Sequence, residues 1–278
     1  MFGYDANGKI ITNQTKPTLT RQLRRITQIT CGANHALALD VKGVIWAWGC
    51  GEQNQLGRLL FGRRFMECLN PHPVEIKGVK QIASGEYHSF AIDNRDNVWS
   101  WGLNSFGEAG DVKTAGGDLA VFPTKIRALC GKGVVCLDGG AYHSAAVTAD
   151  GQCFVWGRLD GEQLEIDFSP GQLQDENLIR YDEREKPHIC LRPTLVPDLE
   201  VGFVACGTDH TIFITKGGTP YVTGFNSQGQ LGLGKENDDV MVARPIQSKG
   251  VKDRVLTWAG ADGQFSMVAE VVKPSADN

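Results

Sequence analysis

Four histidines, His35, His88, His143 and His210, recur in one local pattern, each three residues after a glycine. An imidazole titrates near neutrality and ligates metals, so the set invites two chemistries: acid–base catalysis and zinc binding. The spacing suits neither. The histidines stand 53, 55 and 67 residues apart, one to a repeat. Equivalent positions of successive repeats spread around a structure and do not converge at the roughly 2 Å that a zinc bond requires. Cys31 and Cys206 precede His35 and His210 by four residues, yet Ser84 and Gly139 hold that place in the other two repeats, which is the freedom of a packing position. His35, His88 and His210 are therefore read as buried, hydrogen-bonded structural histidines. The sequence has no G-x-S-x-G and no H-E-x-x-H, and no P-loop to cradle phosphates, so hydrolysis and phosphoryl transfer have no machinery in it. No metal, no cofactor and no small-molecule substrate are expected.

The remaining candidates are polar groups suited to contact. Arg58 opens a basic stretch to Phe65 with Arg63 and Arg64, and Arg21, Arg24 and Arg25 add to it; a solvated loop and a phosphate- or acid-binding patch both fit. Asp5-Ala6-Asn7-Gly8-Lys9 follows Phe2 and Tyr4 and precedes Ile10. It reads as a D-x-N-G hairpin turn or as an exposed contact loop. Lysine and arginine total 28 against 32 acidic residues, a net charge of −4, which excludes bulk electrostatic binding to nucleic acid or to an anionic membrane. With no apolar run of membrane-spanning length and no signal-peptide order at the start, the chain is expected to be soluble and intracellular. Its eight cysteines lack C-x-x-C spacing and are expected to be reduced, buried thiols.

What positions these residues is a repeat. Segments beginning at Cys31, Ser84, Gly139 and Cys206 align without a gap: Gly32, Gly85, Gly140 and Gly207 each precede the histidine by three residues. Gly49, Gly102, Gly157 and Gly224 each follow the first glycine by seventeen. Thirteen residues past each histidine stand Trp48, Trp101, Trp156 and Thr223. Runs such as HALAL and HSFAI, a polar turn and a second β-prone run such as VIWAW predict a β-hairpin in every unit. Apolar residues on both alternating sets predict sheets covered on both faces. Each spacing leaves room for about four short strands, the content of a propeller blade.

The expected fold class is an all-β propeller of about five blades' worth. Four full repeats span residues 31–80, 81–134, 135–203 and 204–256, with half repeats at 1–30 and 257–272 and a tail at 273–278. The stretch from Glu165 to Arg192 is expected to be an exposed loop between blades. Because the chain begins and ends in mid-repeat, N-terminal blades are expected to be missing.

At the repeat, and above all at Gly49-Cys50-Gly51-Glu52-Gln53-Asn54-Gln55-Leu56-Gly57-Arg58, the chain resembles the regulator of chromosome condensation family. The resemblance implies a seven-bladed propeller and the activity of a nuclear, chromatin-associated guanine-nucleotide exchange factor for the small GTPase Ran, without covalent chemistry. It implies that Asp5 to Lys9 form a β-wedge pressed against the GTPase, and that Asn34, Arg58 and His143 form the exchange site, with His143 in a G-G-x-x-H loop. Asn34 departs from the family, which carries an acidic residue there. Chromatin and histones are implied partners, weakened here because the family's basic N-terminal tail is absent. Two other readings stand beside this one: a non-catalytic propeller scaffold, and an enzyme with a site in the propeller channel, for which no converging titratable groups are found.

Overall fold

A computed structural model describes residues 15–17, 19, 20, 22–60, 68–110, 120–161, 163, 164, 168–234 and 238–270. Two compact units are distinguished, 1–134 and 135–278, and both are built of antiparallel sheets.

In the first unit, β1 (Ile26–Cys31), β2 (His35–Asp40), β3 (Ile45–Gly49) and β4 (His72–Pro73) form one sheet in sequence order. A second sheet comprises β5 (Val79–Ser84), β6 (His88–Asp93), β7 (Val98–Gly102) and β8 (Ala120–Lys125). In the second unit β9 (Val134–Gly139), β10 (His143–Thr148) and β11 (Cys153–Arg158) lead into a sheet with β12 (Ile179–Tyr181) and β13 (Pro187–Leu195). Next comes the sheet of β14 (Val201–Cys206), β15 (His210–Thr215), β16 (Pro220–Gly224) and β17 (Val240–Pro245), and then the hairpin of β18 (Trp258–Asp262) and β19 (Phe265–Ala269). The repeat limits at 31, 81, 135 and 204 all fall within the first strand of a sheet, because the strand before each G-x-x-H segment pairs with the strand after it.

Two features depart from the sequence reading. The stretch 165–192 is not a bare loop: a four-residue helix, α1 (Pro170–Leu173), with Ser169 and Gln172 forming a capping box, leads to β12. That strand then pairs with β13, which itself lies along β11, so the insertion extends the third sheet to five strands. Of the eight free cysteines, Cys31 is exposed and Cys50 and Cys130 are half-buried; only the other five are buried thiols.

The hairpin turns follow from their first residue. Asp40 Oδ1 accepts the amides of Lys42 and Val44, and Asp93 Oδ1 those of Arg95 and Asn97, a local bond that bends the chain back after the strand. The second oxygen of each takes the indole N–H of Trp46 or Trp99 on the returning strand.

The histidines join neighbouring sheets. His35 Nε2 meets Ser89 Oγ at 2.9 Å, and Ser89 Oγ in turn donates to Gln55 O at 3.0 Å. A hydroxyl has one proton, and Ser89 spends it on that carbonyl, so His35 must be the Nε2–H tautomer and the donor. His143 and Thr211 repeat the geometry at 3.0 Å, with Thr211 donating to Gln163 O at 2.7 Å; His210 meets Ser266 Oγ at 2.9 Å. In these three bonds the hydroxyl belongs to the residue after the next repeat's histidine position. The first repeat glycine exists for this ring: a Cβ on Gly32 or Gly140 would stand 2.3 Å from the imidazole and within 2.4 Å of the neighbouring sheet's backbone oxygen. His35, His143 and His210 are buried, and among the described residues their Nδ1 atoms have no hydrogen-bond partner. A second ring proton would be buried without an acceptor. Desolvation accordingly pulls the pKa of His35 and His210 down to about 4 and that of His143 to about 3. Trp101 and Trp156 are fully buried and Trp48 is half-buried; Trp101 Nε1 donates to the same Gln55 carbonyl as Ser89.

One repeat position carries a charge the others avoid. Gln55, Gln163 and Gln230 have a buried counterpart in Glu108. Gln55, Gln230 and Glu108 each fold back to accept the amide two residues earlier. Burial raises the Glu108 carboxyl to about 7, so below that pH the protonated acid takes the place of the amide of its counterparts.

Two predictions follow from these linked protons. Glu108 has a raised folded pKa, so its contribution is intact at low pH and is lost as pH climbs from about 4.5 to about 7. In urea unfolding, Glu108→Gln is expected to be neutral at pH 4 and stabilising by roughly 3 kcal/mol at pH 8; an equal effect at both would refute the protonation. The histidines have the opposite sign. Their lowered folded pKa gives stability that is present above pH 6.5 and lost on acidification, about 2 kcal/mol each at pH 5. His143→Gln should flatten the fall of Tm between pH 7 and pH 5, and an unchanged slope would rule His143 out as a buried neutral group.

Candidate partner-binding face

The loops that open each histidine strand are held by a second repeat contact. Gly49, Gly102, Gly157 and Gly224 have φ between 107° and 114°, a conformation that favours glycine. A Cβ at any of them would come within 2.4 to 2.6 Å of the carbonyl oxygen of Asn34, Tyr87, Tyr142 or Asp209. Those same carbonyls accept the amide of the residue after the glycine: Cys50 at 2.7 Å, Leu103 at 3.0 Å, Arg158 at 2.9 Å and Phe225 at 2.8 Å. The residue before each histidine therefore has its backbone fixed. Asn34 is exposed and Tyr87, Tyr142 and Asp209 are half-buried, whereas the histidine beside each is buried. Contact groups stand at the first position, and structural groups at the second.

In the first unit this frame brings Asn34 and the decapeptide loop together, because Cys50, next to Asn34 in the frame, begins the loop that ends at Arg58. Asn54 and Gly57 turn the loop with φ of 58° and 69°. Gly49 N donates to Cys68 O at 2.7 Å, which closes its base. Burial raises the Cys68 thiol, with the nearby Cys50 adding to the rise and Arg58 lowering it. The Arg58 guanidinium thus lies close enough to Cys68 to favour its thiolate; the residue is half-buried, and its Nε and Nη2 are buried. Arg24 and Arg25 are exposed; Arg21 and residues 61–67 lie outside the described residues.

In the second unit the structure places His143 differently from the loop position expected of it. It is the first residue of β10, has no exposed surface and spends its Nε2 proton on Thr211. The group that reaches the surface is Tyr142. Arg158 lies with its guanidinium carbon 5.8 Å from the Tyr142 ring centroid, pairs with Asp160 through Nε and approaches Asp209 Oδ1 at 3.9 Å. Burial raises the Asp209 carboxyl, Arg158 draws it back and Asp160 raises it further. Tyr142, Arg158 and Asp209 were not singled out in the sequence. The available signal was positional: the residue before each repeat histidine varies in type (Asn, Tyr, Tyr, Asp) while the histidine does not. The wedge residues Asp5, Ala6, Asn7, Gly8 and Lys9 lie outside the described residues.

Comparison with known proteins gives the same architecture. An RCC1-like domain profile matches residues 1–268. Over 280 residues the chain is 35% identical to protein pim1 of Schizosaccharomyces pombe, covering 100% of this chain and 50% of pim1. Over 258 residues it is 33% identical to the guanine nucleotide exchange factor SRM1 of Saccharomyces cerevisiae, covering 90% of this chain and 51% of SRM1. The crystal structure of Prp20p from Saccharomyces cerevisiae, described with its binding to Gsp1p and histones, matches with a TM-score of 0.87 at 31% identity, over 96% of this chain and 60% of that one. The chain thus spans about half the length of the curated relatives it matches. With repeated four-stranded sheets latched through histidines and a profile match along nearly its whole length, this chain belongs to the RCC1-like domain family and has that family's all-β propeller fold.

Proposed function

We propose that this chain carries the exchange face of a guanine-nucleotide exchange factor for a Ran-type small GTPase, acting in the nucleus at chromatin. The observation that carries the reading is the likeness, along 90% of this chain, to SRM1, which is named a guanine nucleotide exchange factor. The binding of Prp20p to Gsp1p and histones supports a Ran-type GTPase and histones as partners.

The residues suit the task. An exchange factor breaks no covalent bond; it binds the nucleotide-free GTPase more tightly than the loaded one, and linkage then requires that it weaken nucleotide binding. Such work calls for fixed polar groups on a rigid support. Asn34 and Arg58 in the first unit, and Tyr142, Arg158 and Asp209 in the second, fit that need; Asn34, Tyr142 and Asp209 stand where the repeat glycine holds the backbone, and Arg158 ends β11 with its amide bonded to the Tyr142 carbonyl. The wedge at Asp5 to Lys9 presses on the GTPase near its nucleotide. His143 serves the site by holding the loop that presents Tyr142.

The test is release of labelled GDP from a Ran-type GTPase with the chain at substoichiometric amounts. Acceleration is expected, and its absence would end the proposal for this chain. Arg58→Ala should lower kcat/KM on the order of tenfold or more, as truncation of a charged contact does. Tyr142→Ala should lower exchange while leaving stability near that of the parent. His143→Ala should instead cost about 2–4 kcal/mol of stability in denaturant unfolding, from a lost buried hydrogen bond and a cavity. Deleting residues 2–10 should remove exchange, and full activity after that deletion would take the wedge out of the site.

A further inference from the structure

The insertion in the third sheet meets the face just described. β13 begins at Pro187, and its second residue, His188, is bonded to the loop after β11: Leu159 N donates to His188 O at 2.9 Å. Its side chain turns to the same loop, with Nδ1 3.3 Å from Asp160 Oδ2. The other oxygen of Asp160 pairs with Arg158 Nε, and the Arg158 guanidinium lies over Tyr142 with Nη1 3.9 Å from Asp209. These four polar side chains are each 29–39% exposed, so the chain of contacts runs along the surface and not through the core.

We propose that the inserted hairpin is a specificity element of the exchange face: His188 is a positioning residue that holds Asp160, and through it sets Arg158 over Tyr142. The inference rests on the proposed exchange function, since it assigns Tyr142, Arg158 and Asp209 to the surface that meets the GTPase. An arginine with four rotatable side-chain bonds loses much entropy when fixed, and one weak surface ion pair does not hold it. A carboxylate clamped from behind by an imidazole on a paired strand does, because the clamp removes freedom before the partner arrives. The recognised partner is a GTPase surface that reads the guanidinium of Arg158 beside the ring of Tyr142.

The experiment uses the full chain in four forms: parent, His188→Ala, His188→Gln and Asp160→Asn, with the His188→Ala/Asp160→Asn double variant closing a cycle. Two quantities are measured, affinity for a nucleotide-free Ran-type GTPase and hydrogen exchange of the Arg158 and Leu159 amides. His188→Ala is expected to weaken binding on the order of tenfold and to speed exchange of both amides, with Tm unchanged. His188→Gln, which keeps a side-chain N–H for Asp160, should restore both. In the Asp160→Asn background the loss should vanish, since the residue through which His188 acts is gone. Parent-like binding and amide protection in His188→Ala overturn the proposal, as does a loss that simply adds to that of Asp160→Asn. If the parent itself does not bind the GTPase, the exchange reading fails, and amide exchange alone decides the positioning role: unchanged protection in His188→Ala refutes it.

Discussion

The hydrogen bond from a buried imidazole to a hydroxyl on the neighbouring sheet is the constraint on which the rest of the structure depends. A sheet buried on both faces has little to fix its register against its neighbours, since apolar contact is non-directional. The bond from His35 to Ser89, or from His143 to Thr211, supplies direction. It ties three segments at once, because the hydroxyl passes its proton to the carbonyl of Gln55 or Gln163 in the turn ahead. The two glycines of the repeat are consequences of that arrangement. One gives way to the imidazole ring, and the other lets a carbonyl be approached at 2.4 to 2.6 Å from where its Cβ would stand. A substituent at either place would push the sheets or the loop apart.

The same constraint separates structure from function at adjacent residues. Fixing the histidine fixes the carbonyl of the residue before it, so a variable side chain is presented from a stationary backbone. That division suits a protein that acts by differential binding and not by bond-making. The charged pairs around Arg158 are exposed and individually weak, and their value lies in orientation. Elsewhere the buried Glu108 shows how strictly the frame is observed: burial raises its carboxyl, which accepts the amide two residues earlier as glutamine does in the equivalent turns.

The lesson from sequence lies in the same adjacent pairs. The gapless recurrence of two glycines and a histidine determined the repeated sheets and the family. The site was less legible. Asn34 and the loop of Arg58 share a frame, whereas His143 is buried and its neighbour Tyr142 reaches the surface, and burial is invisible in a string of letters. The insertion reads as a loop because its charged residues from Arg180 to Lys186 mask the short β12 and the start of β13, which pair only because β11 offers them an edge.

What the sequence determined by itself is whatever local periodicity encodes: hairpins, turns and repeat register. Only the tertiary structure decided which side of each glycine–histidine segment reaches solvent, that burial raises the Glu108 carboxyl, and that His188, 45 residues after His143 in sequence, lies by the loop beside Tyr142. The physical reason is the same in each case. Burial and charge pairing are set by neighbours that are distant along the chain, and no spacing rule within one repeat reports what the adjoining sheet or an inserted strand brings against it.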